Sequence, residues 1–253
     1  MGLVATAHAA EGISVKLSPY VVGEIGSMPI TATLLTSWLA IVLLVVGAVL
    51  IQRRIQPIPG KTQSIAEVVV GGGYQYVADT LESKELAKTY FPVLMTIFLF
   101  LITMNWLGLL PGVTSIGYYR DGSLIPFFYP PAADLNITLA FAFIAVFLIQ
   151  LAGIVTLGVA KYGSKFINFS SPLAFVIGLI ELVSEIGRII SFAFRLFGNI
   201  FAGKVLITVA IFFAPLFVPV PVLAFEVFVG FIQAAVFAFL TLVFIKLAVA
   251  EPH

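Results

Sequence analysis

The chain has 253 residues, of which 61% are hydrophobic and only 10% charged, whereas soluble domains carry about 25% charged residues. Its net charge of +1 gives no basic field for nucleic acid, and its lack of cysteine excludes disulfides, iron–sulfur clusters and thiolate metal sites. We therefore expect an all-α polytopic membrane protein in the lipid bilayer, with a single membrane helical domain over residues 34–253.

The first third of the chain predicts three segments. Residues 1–33 lack a basic region and a long apolar core, so we expect an external N-terminal segment and no signal peptide. A spanning helix needs about 20 mostly apolar residues, and the first such run covers 34–51. Residues 62–88 mix six charged side chains with apolar ones, which predicts an amphipathic helix at the interface.

The glycine run in that interfacial segment resembles a phosphate-binding loop only superficially. Gly71-Gly72-Gly73 has neither a preceding strand nor a Gly-Lys-Ser/Thr ending. We therefore expect no nucleotide site there.

The remainder of the chain predicts four more membrane helices and one external loop, over residues 111–135. Prolines mark the turns before and after the helix predicted at 172–213. The predicted helices are 90–110, 136–160, 172–213 and 222–249.

The basic residues predict the orientation of these spans. If the spans alternate, the opposite loop holds only Arg120, while one side collects Arg53, Arg54, Lys61, Lys84, Lys88, Lys161 and Lys165. Cytoplasmic loops carry an excess of Lys and Arg. We therefore expect the N-terminus outside and the C-terminus in the cytoplasm. No internal repeat is evident, which argues against an inverted-repeat transporter.

A stripe of polar side chains follows one face of the helix predicted at 172–213. A charge at the bilayer centre costs about 2.5–3.5 kcal/mol, so several charges in one span need an explanation. Their spacings of three, four, seven and four residues keep them on one face at about 100° per residue. The stripe is about 27 Å long and consists of Glu181, Ser184, Arg188, Arg195 and Asn199.

Simple pairing between helices explains part of the stripe but not Arg195. Glu181 and Glu185 are close enough along the helix to neutralise Arg188. The nearest acid to Arg195 on its own helix is ten residues away, so its partner must come from another helix or another chain. Ionisable residues inside membranes mark functional sites by default.

The last predicted helix adds a second polar face. Glu226 and Gln233 are seven residues apart and share that face, while Lys246 is placed to reach the cytoplasmic surface. Glu226 and Lys204 both belong to the outer half of the membrane. We expect them to form an ion pair between the two helices.

Several short motifs resemble subunit a of F-type ATP synthases. The most specific is Arg195-Leu196-Phe197-Gly198-Asn199, followed by Ala202-Gly203. Four other segments also resemble the family, namely residues 105–111 (NWLGLLP), residues 133–136 (ADLN), Gln233-Ala234 and residues 237–244. The resemblance covers residues 90–249.

This resemblance implies a stator channel subunit and no catalytic activity of its own. Two offset half-channels load and unload protons on the carboxylates of a rotating c-ring of small proteolipid subunits, and a long tilted C-terminal helical hairpin faces that ring. The implied partners are the c-ring, the peripheral-stalk b subunits and the rest of the synthase, in a bacterial plasma membrane. No cofactor is implied, and His8 and His253 make no metal site.

The resemblance also implies roles for individual residues. Arg195 matches the essential charge between the half-channels. The outer half-channel matches Asn199, Glu226 and Gln233, with Asp134 near its mouth, and the cytoplasmic one matches Glu181, Ser184 and Arg188. Lys204 departs from the family, because many relatives have an acidic residue or a histidine there.

Two other functions remain open from the sequence. A stand-alone ion channel or secondary transporter would conduct when reconstituted alone. A non-conducting scaffold for other membrane subunits would keep ion-driven ATP synthesis when Arg195 is changed to alanine.

Overall fold

The computed structural model describes residues 6–9, 13–16, 19–120, 123–166, 171–215 and 217–250. The helices in these ranges are α1 (Ala32–Arg53), α2 (Lys61–Leu81), α3 (Lys84–Leu109), α4 (Leu135–Leu157), α5 (Val159–Gly163), α6 (Pro172–Phe213) and α7 (Pro219–Val249). The strands form antiparallel hairpins from β1 (Thr6–Ala9) and β2 (Ile13–Lys16), β3 (Val21–Ile25) and β4 (Met28–Thr31), and β5 (Gly117–Arg120) and β6 (Ser123–Pro126).

Five of the described helices are long and apolar enough to cross a membrane, namely α1, α3, α4, α6 and α7. The prediction of an all-α polytopic membrane protein is therefore confirmed. Much of their surface is apolar and exposed, as at Phe147 (66%) and Val155 (71%) on α4. Such faces are stable only against lipid or other membrane helices.

The interfacial segment is two helices, so the prediction of one helix over 62–88 is wrong. The chain breaks at Glu82, which adopts the left-handed conformation with φ of 54°. Ser83 then caps α3, its hydroxyl accepting a hydrogen bond from the Leu86 amide at 3.3 Å. Serine is a preferred N-cap because it satisfies an amide that the helix leaves unpaired. Six residues of the predicted interfacial helix thus belong to the second span or its cap.

The third span is shorter than the predicted range 136–160. Gly158, with φ of 84°, ends α4 and leads into the short helix α5. Tyr162 of α5 folds back so closely that a Cβ on Gly153 would overlap its ring, and its hydroxyl donates to Gln150 Oε1 at 2.7 Å. Burial, reinforced by the Glu185 charge, raises the pKa of Tyr162 to about 12.

The core lies where α3, α4, α6 and α7 meet. Phe192 of α6 packs against Phe237 and Phe244 of α7, with ring centroids 4.8 and 5.9 Å apart. Two turns nearer the start of α7, Asn105 of α3 donates to the Gly230 carbonyl oxygen at 3.0 Å. The absence of a side chain at Gly230 permits this close approach. These contacts join α7 to both α3 and α6.

Candidate functional site

The first two turns of the polar stripe on α6 hold paired charges. Arg188 contacts both carboxylate oxygens of the buried Glu185 at 2.6 and 2.7 Å, and its guanidinium lies 4.0 Å from the centroid of the Phe244 ring. Glu181 pairs with Lys165 at 2.8 Å. Arg188 is therefore neutralised on its own helix, by one of the two acids that the sequence indicated.

Arg195 is different from Arg188. Its guanidinium donates to the Ser191 hydroxyl at 3.3 Å and lies 5.9 Å from the Phe192 ring centroid. Within the described part of the chain, no carboxylate lies within ion-pair distance of it. The expectation that its acid must come from elsewhere remains a prediction.

A cavity of about 320 Å³ opens beside Arg195 and is called here the Arg195 cavity. It runs from Ser184, in the fourth turn of α6, to Arg195 and is lined on the other side by α7. Its lining residues are Ser184, Gly187, Arg188, Ser191, Phe192, Arg195, Leu240 and Phe244. The stripe predicted from spacing thus lines an open space for about half its length.

Asn199 connects α6 to the polar face of α7. Its amide donates to Gln233 Oε1 at 2.7 Å, so two residues assigned to one half-channel touch each other. Within the part of the chain that the structure describes, the Gln233 amide nitrogen and the Asn105 side-chain oxygen are buried and have no hydrogen-bond partner. Unpaired buried polar groups are costly, and they mark places where a water or an ion is bound.

A second cavity, of about 570 Å³, lies further along α6 and is called here the Glu226 cavity. Its walls come from the C-terminal half of α6, the start of α7, the end of α3 and the loop of residues 110–130. It contains Asn105, Tyr129, Ile200, Lys204 and Glu226. Arg195 and Lys204 are nine residues apart, which is about 13 Å along the helix, so the two cavities open on different halves of α6.

The expected ion pair between Lys204 and Glu226 is not formed. The Lys204 ammonium lies 3.0 Å from the centroid of the Tyr129 ring. Glu226 is buried and packs against Gly203, where a Cβ would overlap its carboxylate. Among the described residues, no salt bridge joins Lys204 to Glu226. Helical spacing placed both charges at one depth but could not show that an aromatic loop residue lies between α1 and α6.

Asp134 caps α4 and does not line either cavity. It is buried, accepts from the Asn136 amide at 3.0 Å, and accepts from the Thr33 hydroxyl at 2.9 Å. Its contacts join α1 to the start of α4. The predicted place near a channel mouth remains untested, and the observed contacts are those of a structural cap.

Two residues of the site were missed from the sequence. Tyr129 belongs to an aromatic loop that gave no periodic signal. Gly203 was quoted within a motif without a role, although a glycine beside a buried acid is a sign of close packing. Both become visible only when α6, α7 and the loop are seen together.

The fold and these cavities define a polytopic membrane protein in which ionisable side chains line two cavities along the two long C-terminal helices. Residues 34–246 match the family described as ATP synthase A chain. The chain therefore belongs to the ATP synthase subunit a family.

Curated relatives agree with this assignment along nearly the whole chain. It is 33% identical to ATP synthase subunit a of Geotalea daltonii, with 94% of each chain covered. It is 32% identical to ATP synthase subunit a of Geobacter sulfurreducens, again with 94% of each covered. For ATP synthase subunit a of Moorella thermoacetica the identity is 30%, with 90% of this chain and 94% of the relative covered.

Proposed function

We propose that this chain is the stator channel subunit of a bacterial ATP synthase. It provides two offset half-channels that load and unload protons on the carboxylates of a rotating c-ring, and it catalyses no reaction itself. The peripheral-stalk b subunits anchor it, with its N-terminus outside and its C-terminus in the cytoplasm. The observation that carries this proposal is Arg195, a guanidinium beside an open cavity with no acid near it among the described residues.

The physics of Arg195 suits a fixed barrier. A guanidinium cannot be deprotonated in proteins, so it cannot pass a proton through itself. An ionised rotor carboxylate is costly against lipid and stable beside Arg195, so the arginine favours release of the proton as each rotor subunit arrives. A membrane potential supplies about 2.3 kcal/mol per charge per 100 mV for the transfer.

The two cavities support offset access to that barrier. The Arg195 cavity contains Ser184 and Arg188, and the Glu226 cavity contains Glu226 and Ile200, the residue after Asn199. We assign the first to the cytoplasmic outlet and the second to the outer inlet. Because they open on different halves of α6, a proton cannot pass from one to the other without the rotor.

The exposed face of α6 supports a close-packed helical partner. Small side chains lie along the same face as Arg195, and together with Arg195 they recur every three or four residues, at Ser184, Gly187, Ser191, Gly198 and Ala202. A Cβ added at Gly187 or Gly198 would meet open space. Small residues let membrane helices approach closely, so this face fits the outer helices of the c-ring.

The test is Arg195→Ala in the complete synthase in membrane vesicles. We expect ATP synthesis driven by a proton gradient to fall to background, because the rotor carboxylate loses its fixed counter-charge. Assembly is checked by co-purification of the c-ring with the chain.

Arg54→Ala is the matched control, since Arg54 is exposed at the end of α1. It should retain synthesis. If Arg195→Ala makes ATP as well as this control, the chain is a scaffold and the proposal is wrong. Proton conduction by the purified chain in liposomes without a c-ring would instead support a stand-alone channel.

A further inference from the structure

The position of Lys204 raises a problem for the proposed inlet. Lys204 and Glu226 line the same cavity, and a free ammonium there would pair with the carboxylate or repel an incoming proton. The structure avoids both outcomes, because the ammonium lies on the face of Tyr129 at 3.0 Å. A cation over an aromatic face is attracted by the negative potential of the ring.

Contacts from α1 and from the segment that precedes it in the chain hold the backbone and ring of Tyr129 in place. The Tyr129 amide donates to the Thr36 hydroxyl at 3.0 Å, and that hydroxyl donates to the Ala32 carbonyl oxygen at 2.9 Å. The ring packs edge-to-face on Tyr20, with centroids 5.1 Å apart. Only 9% of Tyr129 is exposed. The ring is therefore a fixed platform.

The phenol acts as a neutral ring and not as a counter-ion. Burial, with a smaller contribution from Tyr20, raises the pKa of Tyr129 to about 12. Near neutral pH the hydroxyl keeps its proton, so no phenolate pairs with Lys204. The attraction comes from the face of the ring, and phenylalanine would supply it as well.

Glu226 is held apart from Lys204 by its own packing. The carboxylate lies against Gly203, the residue before Lys204, and occupies the space that a side chain at 203 would need. Among the described residues, the Glu226 side chain makes no hydrogen bond and no ion pair. The carboxylate thus has no partner among the described residues, in a cavity that also contains a lysine.

We propose that Tyr129 is a positioning residue that holds the Lys204 ammonium away from Glu226 and so keeps that carboxylate available as the proton-accepting group of the inlet. This inference rests on the proposed function and deepens it. Tyr129 acts through Lys204 and does not itself carry the proton. Removing the ring should release the ammonium onto Glu226, whereas removing only the hydroxyl should not.

The experiment measures ATP-driven proton pumping in vesicles containing the complete synthase. Tyr129→Leu is expected to reduce pumping about fivefold to tenfold, on the scale of a desolvated cation–π contact. Tyr129→Phe should pump within about twofold of the unmodified synthase, because it keeps the ring. The double variant Tyr129→Leu with Lys204→Met should recover to the level of Lys204→Met alone, because no ammonium is left to pair with Glu226.

Two outcomes overturn the inference. One is equal pumping by Tyr129→Leu and Tyr129→Phe. The other is a double variant as impaired as Tyr129→Leu, which would make the ring a packing element. If Tyr129→Leu does not assemble, Tyr129→Met takes its place. Failure of both to assemble, without rescue by Lys204→Met, likewise shows a structural role and overturns it.

Arg195→Ala in the same vesicles separates this inference from the proposed function. If Arg195→Ala still pumps, the proposed function fails whatever Tyr129 does. If Arg195→Ala abolishes pumping but Tyr129→Leu reduces it equally with and without Lys204→Met, the proposed function stands and only the proposed role of Tyr129 fails.

Discussion

Arg188 and Arg195 lie seven residues apart on one face of α6 and have different surroundings. Arg188 has Glu185 within 2.7 Å and the Phe244 ring at 4.0 Å, whereas Arg195 has a single hydroxyl at 3.3 Å. The guanidinium of Arg188 already has its counter-charge in Glu185, and removing one partner of such a pair leaves a costly unpaired charge. An unpaired guanidinium attracts the next carboxylate that comes near, and this is the chemical property that the proposed mechanism uses.

Gly203 gives a prediction at the scale of one residue. Gly203→Ala places a methyl group where the Glu226 carboxylate now lies, so α6 and α7 must separate or Glu226 must move. Overpacking of this kind lowers the free energy of unfolding by about 1–3 kcal/mol. The change is measured by heating the purified synthase and monitoring the loss of the chain from the complex.

The matched control for Gly203→Ala is Gly47→Ala in α1. A Cβ at Gly47 meets nothing within 4 Å, and alanine favours a helix over glycine by up to about 1 kcal/mol. That variant should be as stable as the original or slightly more so. Equal stability of the two variants would show that Glu226 does not depend on the space at Gly203.

At the scale of elements, two tie points join segments distant in sequence. The Thr33–Asp134 hydrogen bond connects α1 to α4. Lys246, near the end of α7, contacts Glu82 between α2 and α3 at 2.6 Å. The first contact is buried and the second is exposed. The first therefore contributes more to stability, since exposed ion pairs contribute about 0–1 kcal/mol.

The exposed contact predicts a measurable titration. The hydrogen bond from Lys246 lowers the pKa of Glu82 below its ordinary value, and the positive charge of Lys246 makes a smaller contribution in the same direction. A lowered pKa means that the contact between α7 and the α2–α3 junction is present above the ordinary pKa and is lost as the pH falls through the lowered one. NMR titration of a labelled Glu82 carboxylate should show this lowered pKa.

Lys246→Met should return the Glu82 pKa to the ordinary range for glutamate, about 4.3. Lys84→Met, which removes a charge two residues from Glu82 along the chain, is the control and should leave most of the shift in place. An unchanged titration in Lys246→Met would mean that the contact is absent in the membrane.

At the scale of the whole molecule, the two cavities open on different halves of α6. The chain has no cysteine, so single cysteines report accessibility cleanly. Ile207→Cys lines the Glu226 cavity and Ser184→Cys lines the Arg195 cavity. A membrane-impermeant thiol reagent should label position 207 from outside the cell and position 184 from the cytoplasmic side.

Ala145→Cys, at a position with no exposure in α4, is the unreactive control in both directions. Labelling of positions 207 and 184 from the same side would contradict both the orientation and the offset half-channels. Labelling of neither would mean that the cavities are closed to water.

Much of the architecture could be read from the sequence, because its signals are local. Five apolar runs of spanning length predict five membrane helices, since backbone hydrogen bonding in lipid leaves few alternatives. The isolation of Arg195 from acids on its own helix also follows from spacing alone, because helical geometry sets which residues are neighbours. The break at Glu82 was missed although Ser83 is a readable cap, because composition favoured one continuous segment.

Contacts between helices were decided only by the tertiary structure. Periodicity gives the face and the depth of Lys204 and Glu226 but not what lies between them. A loop tyrosine fixed to α1 holds the lysine, and a glycine makes room for the acid. Asp134 likewise bonds to Thr33, 101 residues away. The sequence by itself thus determined the spans and the lack of an acid near Arg195 on its own helix, while packing across helices determined that Lys204 and Glu226 stay apart.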